Sequence, residues 1–182
     1  HVVLALGRMA KNKGYDLLLR AMPTVFRRID DARLLLAVGS TEPSESEKQQ
    51  VAELKRLAAE LGIEDRVMFR DYIPDEQLAD YYRAADVFAL SSRYEPFGMT
   101  AVEAMACGTP TVITTEGGLW EQVAWGQDAV YANPFDPEAF GHAITAVLAH
   151  PHDSDQLAKY GTRKARARFT WTGIAQQLLR SL

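Results

Sequence analysis

The stretch DVFALSSRYEPFGMTAVEAMACGTPTVIT, residues 86–114, decides the fold of this 182-residue chain. Its two ends, DVFALS and TPTVIT, are short apolar runs, and each is predicted to be a buried strand. Between them, a Pro-Phe-Gly turn precedes a helix that we expect from about Gly98 to Cys107, where Gly108 ends it. A strand, a helix and a second strand in this order predict a βαβ unit, which joins parallel strands.

Similar apolar runs precede this unit. They are VVLALG, ARLLLAVG and RVMFRDY, and segments with helical periodicity separate them. The runs are too uniformly apolar for strands with one face in water, so we expect helices on both faces of a parallel sheet. No low-complexity linker interrupts the pattern, and residues 1–182 are therefore predicted to form one domain.

The helical segments carry their own start and stop signals. Ser44 and Glu47 have the spacing of a capping box, and Gly62 ends the helix that they begin. Pro74 and Asp75 suit the first turn of a shorter helix. The apolar positions of both helices, including the two tyrosines, are interpreted as core: Val51, Leu54, Leu57, Ala58, Leu61, Leu78, Tyr81, Tyr82 and Ala85.

Other helical features lie near the two ends of the chain. Pro23 falls inside the first helical pattern and is expected to kink or end that helix. Residues 136–150, 154–169 and 170–182 are predicted to form three helices. Trp171 is expected to pack either against a further domain or against the core of this one.

Composition excludes several classes of protein. A net charge of −4 with dispersed cations argues against a nucleic-acid partner. Cys107 is the single cysteine, so the sequence offers no internal disulfide and no Cys/His metal spacing. No apolar run reaches the roughly 18 residues of a membrane span. We expect a cytoplasmic protein, and because the chain enters a strand at its second residue without an initiating Met, we interpret it as part of a longer one.

The segment GRMAKNKGYD, residues 7–16, places two cations where a strand ends and a helix begins. It matches neither GxGxxG nor GxxxxGK[ST], which disfavours a dinucleotide dehydrogenase or a P-loop kinase. Ligands of open parallel sheets bind beyond the carboxyl ends of the strands. Arg8 and Lys13 are therefore expected to converge on an anion, with a diphosphate as the expected target. Solvated loop cations are the alternative.

The helix in the opening stretch offers a second anion site and a carboxylate in apolar surroundings. Gly98 removes a side chain at the helix N-terminus, whose backbone N–H groups and dipole favour a phosphate. The residues around Glu103 are small or apolar, so we expect a buried helix in which this carboxylate needs partners. Sugar hydroxyls would serve as partners, and a salt bridge to Arg or Lys is the alternative. Glu95 either faces a second sugar ring or is solvated.

Two further places follow predicted strands. Gly117 and Gly118 permit close approach of a ligand, although a plain tight turn would require the same residues. The segment FRDYIPD, residues 69–75, offers backbone groups and an aromatic edge to a nucleotide base.

Taken together, GRMAKNKG, YEPFGMTAVEAMACGTP and the following GG resemble the C-terminal, nucleotide-sugar-binding domain of retaining GT-B glycosyltransferases of family 4. The resemblance covers nearly the whole chain. Within it, EPFGMTAVEAMACGTPTVITTEGGLWE is similar to the branch that contains sucrose-phosphate and mannosylfructose-phosphate synthases. It implies a Rossmann-like, doubly wound parallel sheet and an N-terminal acceptor domain outside this chain.

The resemblance also implies roles for individual residues. Arg8 and Lys13 match the cations that hold the donor diphosphate. Glu95 matches the residue that contacts the donor sugar, and Glu103 the carboxylate that binds the ribose hydroxyls. The loop that touches diphosphate and sugar corresponds to Phe97, Gly98, Met99 and Thr100, followed by Gly117 and Gly118.

The implied reaction is the transfer of a hexosyl group from a nucleoside diphosphate sugar, carrying UDP, GDP or ADP, with retention of configuration. The acceptor is expected to be a sugar or sugar phosphate held by the N-terminal domain, so this chain alone should bind the donor but transfer little. No permanently bound cofactor and no metal are expected, and none of His1, His142, His150 and His152 is assigned a catalytic role. A related sugar-nucleotide epimerase, a nucleotide-binding module without chemistry and an interaction domain are the alternatives.

Overall fold

The computed structural model describes residues 1–180, apart from the side chains of residues 171, 176–178 and 180. The packing expected for Trp171 therefore concerns a side chain outside the described residues. The strands are β1 (Val2–Gly7), β2 (Arg33–Val38), β3 (Val67–Arg70), β4 (Val87–Leu90), β5 (Thr111–Thr114) and β6 (Val130–Ala132). The helices are α1 (Tyr15–Phe26), α2 (Glu45–Glu60), α3 (Asp75–Ala84), α4 (Met99–Cys107), α5 (Pro137–Ala149), α6 (Pro151–Arg168) and α7 (Trp171–Arg180).

All six strands pair in parallel, in the order β3-β2-β1-β4-β5-β6. Leu4 of β1 lies opposite Leu35 of β2 on one side and Phe88 of β4 on the other. The chain builds the sheet outward from β1 to β3, returns to place β4 beside β1, and then builds in the opposite direction. The predicted Rossmann-like, doubly wound sheet is thus confirmed, and its switch point lies between β1 and β4.

Two apolar layers cover the two faces of the sheet. One contains α1, α2 and α5, with Leu18, Met22 and Phe140 fully buried. The other contains α3, α4 and α6, with Tyr82 and Met105 fully buried. Each side chain of this kind contributes about 1.5–3 kcal/mol when it leaves water. The sheet is therefore held from both sides, as its uniformly apolar strands predict.

The five predicted strands are all present, but β6 was not predicted. It has only three residues, VYA, and it lies at the edge of the sheet, where it pairs with β5. Three residues are too few for any periodicity to be recognised. Its existence depends on pairing with β5, which is a tertiary contact.

Of the two outcomes expected for Pro23, a kink or an end of the first helix, the second is wrong. α1 continues through Pro23 to Phe26. Thr24, Val25 and Phe26, which follow the proline, are all buried, and their packing holds the last turn in helical conformation.

The remaining helix predictions are close to the observed elements. The capping box of α2 is present, because Glu47 N–H donates to Ser44 Oγ at 3.2 Å and Ser44 N–H donates to Glu47 Oε2 at 2.8 Å. Tyr82 is core as predicted, whereas Tyr81 is half-buried. Three helices follow residue 135, and α6 begins at Pro151 rather than at Ser154. No helix within residues 1–180 combines the length and apolarity that crossing a bilayer requires.

Candidate functional site

A cavity of about 250 Å³ opens at the carboxyl ends of β1 and β2, beside the switch point of the sheet. Four of the residues predicted from the sequence line it, namely Arg8, Lys13, Thr100 and Glu103. Gly39, which follows β2, also lines the cavity, as do Tyr72, Ile73 and Asp75 from the segment 69–75 that was predicted to face a nucleotide base. Arg8 is exposed, and its guanidinium has no ion-pair partner in the described part of the chain.

Two larger cavities, of about 610 and 620 Å³, lie elsewhere in the molecule. One is lined by α1 and α2 and the other by β6, α5 and α6, and neither contains any residue predicted to form the site. The largest cavities are therefore not the ones that contain the predicted site residues. We take the smaller cavity as the candidate site because cations, a carboxylate and a helix N-terminus meet there.

Lys13 is held beside β4 by an ion pair. Its Nζ lies 2.7 Å from Glu95 Oε2, and Ser92 Oγ donates to the same oxygen at 3.0 Å. Glu95 is 8% exposed, so the alternative of a solvated loop carboxylate is wrong. A buried carboxylate needs such partners to offset its lost hydration. Two residues that the sequence assigned separately to diphosphate and sugar thus bind each other.

Two hydrogen bonds join the backbone of the loop after β1 to the segment that follows β4. Ser91 Oγ donates to the carbonyl of Gly14 at 2.9 Å, and Arg93 N–H donates to the carbonyl of Asn12 at 2.7 Å. Gly14 has a left-handed φ of +64°, and a Cβ built there would lie 2.1 Å from the carbonyl oxygen of Ser91. Glycine is required at this position for both reasons. The joined loops fix the position of Lys13.

The N-terminus of α4 is open toward this edge of the sheet. Gly98, with a left-handed φ of +86°, precedes the helix, and its carbonyl accepts the N–H groups of Ala101 and Val102. Met99 and Thr100 N–H find no acceptor within residues 1–180. Unpaired N–H groups at the positive end of a helix dipole favour an anion.

Glu103 differs from its expected environment. It is half-buried rather than buried, because Thr100, Glu103 and Cys107 form a partly exposed stripe along α4 at helical spacing. No Lys or Arg nitrogen of the described residues lies within 4.0 Å of its carboxylate, so the salt-bridge alternative is wrong. Its partner is instead the hydroxyl of Tyr82, which donates to Oε2 at 2.8 Å.

Two buried tyrosines interact with the predicted carboxylates, Tyr82 with Glu103 and Tyr15 with Glu95. Burial, with the charge of Glu103 adding to it, raises the pKa of the Tyr82 hydroxyl. Burial and the charge of Glu95 raise the pKa of Tyr15, whose hydroxyl donates to the carbonyl of Arg8 at 3.4 Å. Both tyrosines therefore stay protonated, as hydrogen-bond donors, well into the alkaline range.

The other predicted residues lie around the rim rather than in the cavity. Met99 is 55% exposed, and Phe97 packs edge-on against Phe169 with ring centroids 5.4 Å apart. Neither Gly117 nor Gly118 has a positive φ. A Cβ would lie 2.2 Å from the carbonyl oxygen of Glu95 at Gly117 and 2.6 Å from that of Pro96 at Gly118. These glycines let the loop after β5 pack against the loop after β4, so a plain tight turn does not explain them.

Metal-binding side chains do not gather anywhere within residues 1–180, where no group of three or more His, Cys, Asp or Glu residues could hold an ion. The four histidines, to which the sequence assigned no catalytic role, are all exposed: His1, His142, His150 and His152.

Three residues at the site were not predicted from the sequence. Gly39 follows β2, and its place at a strand end is a signal that the sequence contains. Tyr82 was predicted only as core, and Ser92 carries no motif of its own. Tyr82 and Glu103 lie on different helices, 21 positions apart, so no periodicity connects them.

Comparisons with known proteins agree on the family. Residues 1–164 match the model of the family described as glycosyl transferases group 1. The chain is 53% identical over 178 residues to mannosylfructose-phosphate synthase of Agrobacterium fabrum. This alignment covers 98% of this chain and 39% of that protein.

Two solved structures show the same architecture. Sucrose-phosphate synthase from Thermosynechococcus elongatus is similar with a TM-score of 0.86 and 37% identity, over 98% of this chain and 44% of that one. Anabaena HepE in complex with UDP-glucose is similar with a TM-score of 0.84 and 28% identity, over 100% of this chain and 49% of that one. The chain thus spans about half or less of the length of these proteins, between 39% and 49%.

Proposed function

This chain belongs to the glycosyl transferases group 1 family, and from that premise we propose that it binds the nucleoside diphosphate sugar for a retaining hexosyl transfer. The observation that carries the proposal is the cavity at the switch point, where Arg8, Lys13, Thr100 and Glu103 meet. Cations and helix N–H groups suit a diphosphate, and a carboxylate suits a diol.

Lys13 can bind a diphosphate without releasing Glu95. A lysine ammonium has three N–H donors in different directions, and the pair with Glu95 uses one of them. Phosphate oxygens can accept hydrogen bonds from the other two N–H groups of Lys13. They can also accept from the Arg8 guanidinium and from the unpaired N–H groups of Met99 and Thr100. These donors would also stabilise the negative charge that develops on the leaving diphosphate as the sugar bond breaks.

The carboxylates are assigned to the two sugar rings of the donor. Glu103 would accept the hydroxyls of the ribose, and Glu95 would contact the transferred hexose through Oε1, since Lys13 and Ser92 both bind Oε2. Phe97, Gly98, Gly117 and Gly118 belong to the packed loops that hold Glu95 in place.

UDP is the first candidate for the nucleotide, because HepE was solved with UDP-glucose. GDP and ADP remain in the test. The acceptor is proposed to be a phosphorylated sugar, since both named synthases carry a sugar phosphate in their names. Neither is named as an epimerase, and that alternative is not favoured. Acceptor contacts are assigned to the part of the full protein that this chain does not span, so we expect donor binding by residues 1–182 with little transfer.

Calorimetric titration of the chain with UDP, GDP and ADP tests the proposal. We expect one nucleotide to bind, and we expect Lys13→Ala and Glu103→Ala each to weaken it. Loss of a charged hydrogen bond costs about 1.5–3 kcal/mol, or about one to two decades in affinity. Binding should persist in a chelator, since the proposal assigns charge neutralisation to Arg8, Lys13 and α4.

Lys11→Ala is the matched control. Lys11 lies two residues from Lys13 and carries the same charge, but it is exposed outside the cavity, so its removal should change affinity little. Absence of binding by all three nucleotides, or wild-type affinity in both folded site variants, would contradict the proposed function. The expected cytoplasmic location stays a prediction.

A further inference from the structure

A fully buried hydroxyl lies directly behind the carboxylate assigned to the ribose. Tyr82, on α3, is 1% exposed, and its hydroxyl donates to Glu103 Oε2 at 2.8 Å. The ring packs edge-on against Phe88 with centroids 5.6 Å apart, and the Tyr82 carbonyl accepts a 2.6 Å hydrogen bond from Thr109 Oγ1. Ring and backbone are therefore both fixed, and the hydroxyl has little freedom to move.

We propose that Tyr82 is the positioning residue for ribose recognition: it holds Oε2 of Glu103 from behind and leaves Oε1 facing the cavity to accept the ribose hydroxyls. The inference rests on the proposed function, since it concerns the same nucleotide site. The contact between α3 and α4 would then contribute to nucleotide binding as well as to the stability of the fold.

The physical reason is preorganisation. A glutamate side chain has three rotatable bonds, and ordering a side chain of this kind on binding costs conformational entropy. Tyr82 fixes the carboxylate before the nucleotide arrives, so that cost falls on folding instead of on binding. No Lys or Arg of the described residues pairs with Glu103. The carboxylate is therefore held without a cation that would compete with the ribose.

The hydroxyl is also suited to remain a donor. Burial and the charge of Glu103 raise the pKa of Tyr82, so it stays protonated at any pH at which the nucleotide would be tested. A serine or water at this place would rotate or exchange. A buried phenol on a packed ring keeps one direction.

The test is the Tyr82→Phe variant, which removes one oxygen and keeps the ring. Affinities are measured for whichever of UDP, GDP and ADP binds, and for its 2′-deoxy and 3′-deoxy forms. We expect Tyr82→Phe to weaken the parent nucleotide about fivefold, as expected for one hydrogen bond of about 1 kcal/mol. We also expect the deoxy forms to bind the variant nearly as they bind the wild type, so that the penalty for a missing ribose hydroxyl shrinks. Combined with Glu103→Ala, the change should cost no further affinity.

Tyr81→Phe is the matched control. Tyr81 is the next residue of α3, and its hydroxyl accepts a 3.4 Å hydrogen bond from Arg70 Nε at the exposed surface. We expect wild-type affinities and a wild-type deoxy penalty. If Tyr82→Phe lowers thermal stability but keeps the wild-type deoxy penalty, Tyr82 is only a core residue and the inference is overturned. Additive losses with Glu103→Ala would overturn it as well.

A second measurement covers the case in which Tyr82→Phe does not fold. In the wild-type chain, the NMR shift of the Tyr82 ring carbon that bears the hydroxyl should move when the nucleotide binds, and should stay in place with its 2′,3′-dideoxy form. Equal shifts with both ligands would overturn the inference. Failure of the proposed function is a separate result, because it would appear as no binding of any nucleotide to the wild-type chain.

Discussion

Lys13 and Glu95 carry opposite charges 2.7 Å apart at a place with little solvent, where their side chains are 21% and 10% exposed. Removing one member of such a pair leaves an uncompensated charge, which costs more than the pair itself contributes. The ion pair is best regarded as a means of placing a cation. Lys13 is held near the position proposed for the donor diphosphate before any ligand is present.

Gly14, which follows Lys13, allows a prediction at the scale of one residue. Gly14 and Gly62 have nearly the same left-handed φ, +64° and +66°, but a Cβ at Gly14 would meet the Ser91 carbonyl at 2.1 Å and one at Gly62 would meet nothing within 4 Å. Gly62→Ala should therefore lower the free energy of unfolding by about 1–2 kcal/mol, from backbone strain alone. Gly14→Ala should cost about 1–3 kcal/mol more, from the clash.

Urea unfolding of the two variants measures this difference. The substitution and the backbone conformation are the same, so the comparison isolates the contact with Ser91. Equal losses would show that the loop after β1 can move away from β4, which would contradict the fixed position inferred for Lys13.

At the scale of the element, the C-terminal end of α1 depends on a residue far along the chain. The guanidinium of Arg66 donates to the carbonyls of Phe26 at 3.0 Å and Ile29 at 2.7 Å, and also to those of Asp30 and Ala32. It lies over the Phe26 ring, 4.1 Å from the centroid. The bond to Phe26 satisfies a carbonyl that the helix end leaves unpaired, and the other bonds hold the turn that follows α1. They also help to explain why α1 continues past Pro23.

We predict that Arg66→Lys lowers the free energy of unfolding by about 2 kcal/mol, because an ammonium cannot reach four carbonyls at once. Urea unfolding is the measurement. Arg56→Lys makes the same exchange on the exposed face of α2 and should stay within about 0.5 kcal/mol of the wild type. A similar small effect at Arg66 would mean that packing alone holds the end of α1.

Elements were predictable from the sequence where one local signal was sufficient. Apolar runs identified β1 to β5, and the capping box identified the start of α2. The continuation of α1 past Pro23 could not be predicted in this way, because it depends on the burial of the residues that follow the proline. Strand β6 could not be predicted either, because it depends on pairing with β5. The site shows the same limit. Motifs identified Lys13 and Glu103, but the partners of these residues come from other elements and depend on how the elements pack.

At the scale of the whole molecule, strand order creates the site. Because β1 and β4 are neighbours and the chain builds the sheet outward from them in opposite directions, α1 and α4 lie on opposite faces. The loops that lead into these helices therefore separate and leave a crevice at the carboxyl edge. Cations from one loop and N–H groups from the other helix come to the same place as a result.

The two buried tyrosines lead to a prediction about the stability of the whole chain at high pH. Burial raises the pKa values of Tyr15 and Tyr82 above the ordinary value, which is about 10. The folded chain thus holds these two protons more tightly than the unfolded chain does. Their contribution to stability is complete below about pH 10 and is lost as the pH rises above that value.

Alkaline titration followed by tyrosinate absorbance and by circular dichroism checks this expectation. Tyr15 and Tyr82 should ionise only as the helical signal disappears, and Tyr15→Phe or Tyr82→Phe should move alkaline unfolding to higher pH. Ionisation of all seven tyrosines before any loss of structure would contradict the burial described here.

The contact between the loops after β4 and β5 has a consequence for engineering. Glu95 and Gly117 form a short parallel bridge, in which Glu95 N–H donates to the carbonyl of Glu116 at 2.9 Å and Gly118 N–H donates to the carbonyl of Glu95 at 3.2 Å. Saturation mutagenesis at Gly117 or Gly118 would yield few folded variants, since any side chain meets backbone there. Tyr94 and Met99, which are 66% and 55% exposed, border the same rim, and we expect both positions to accept substitution. A library intended to alter ligand preference should therefore vary those two positions and keep both glycines constant.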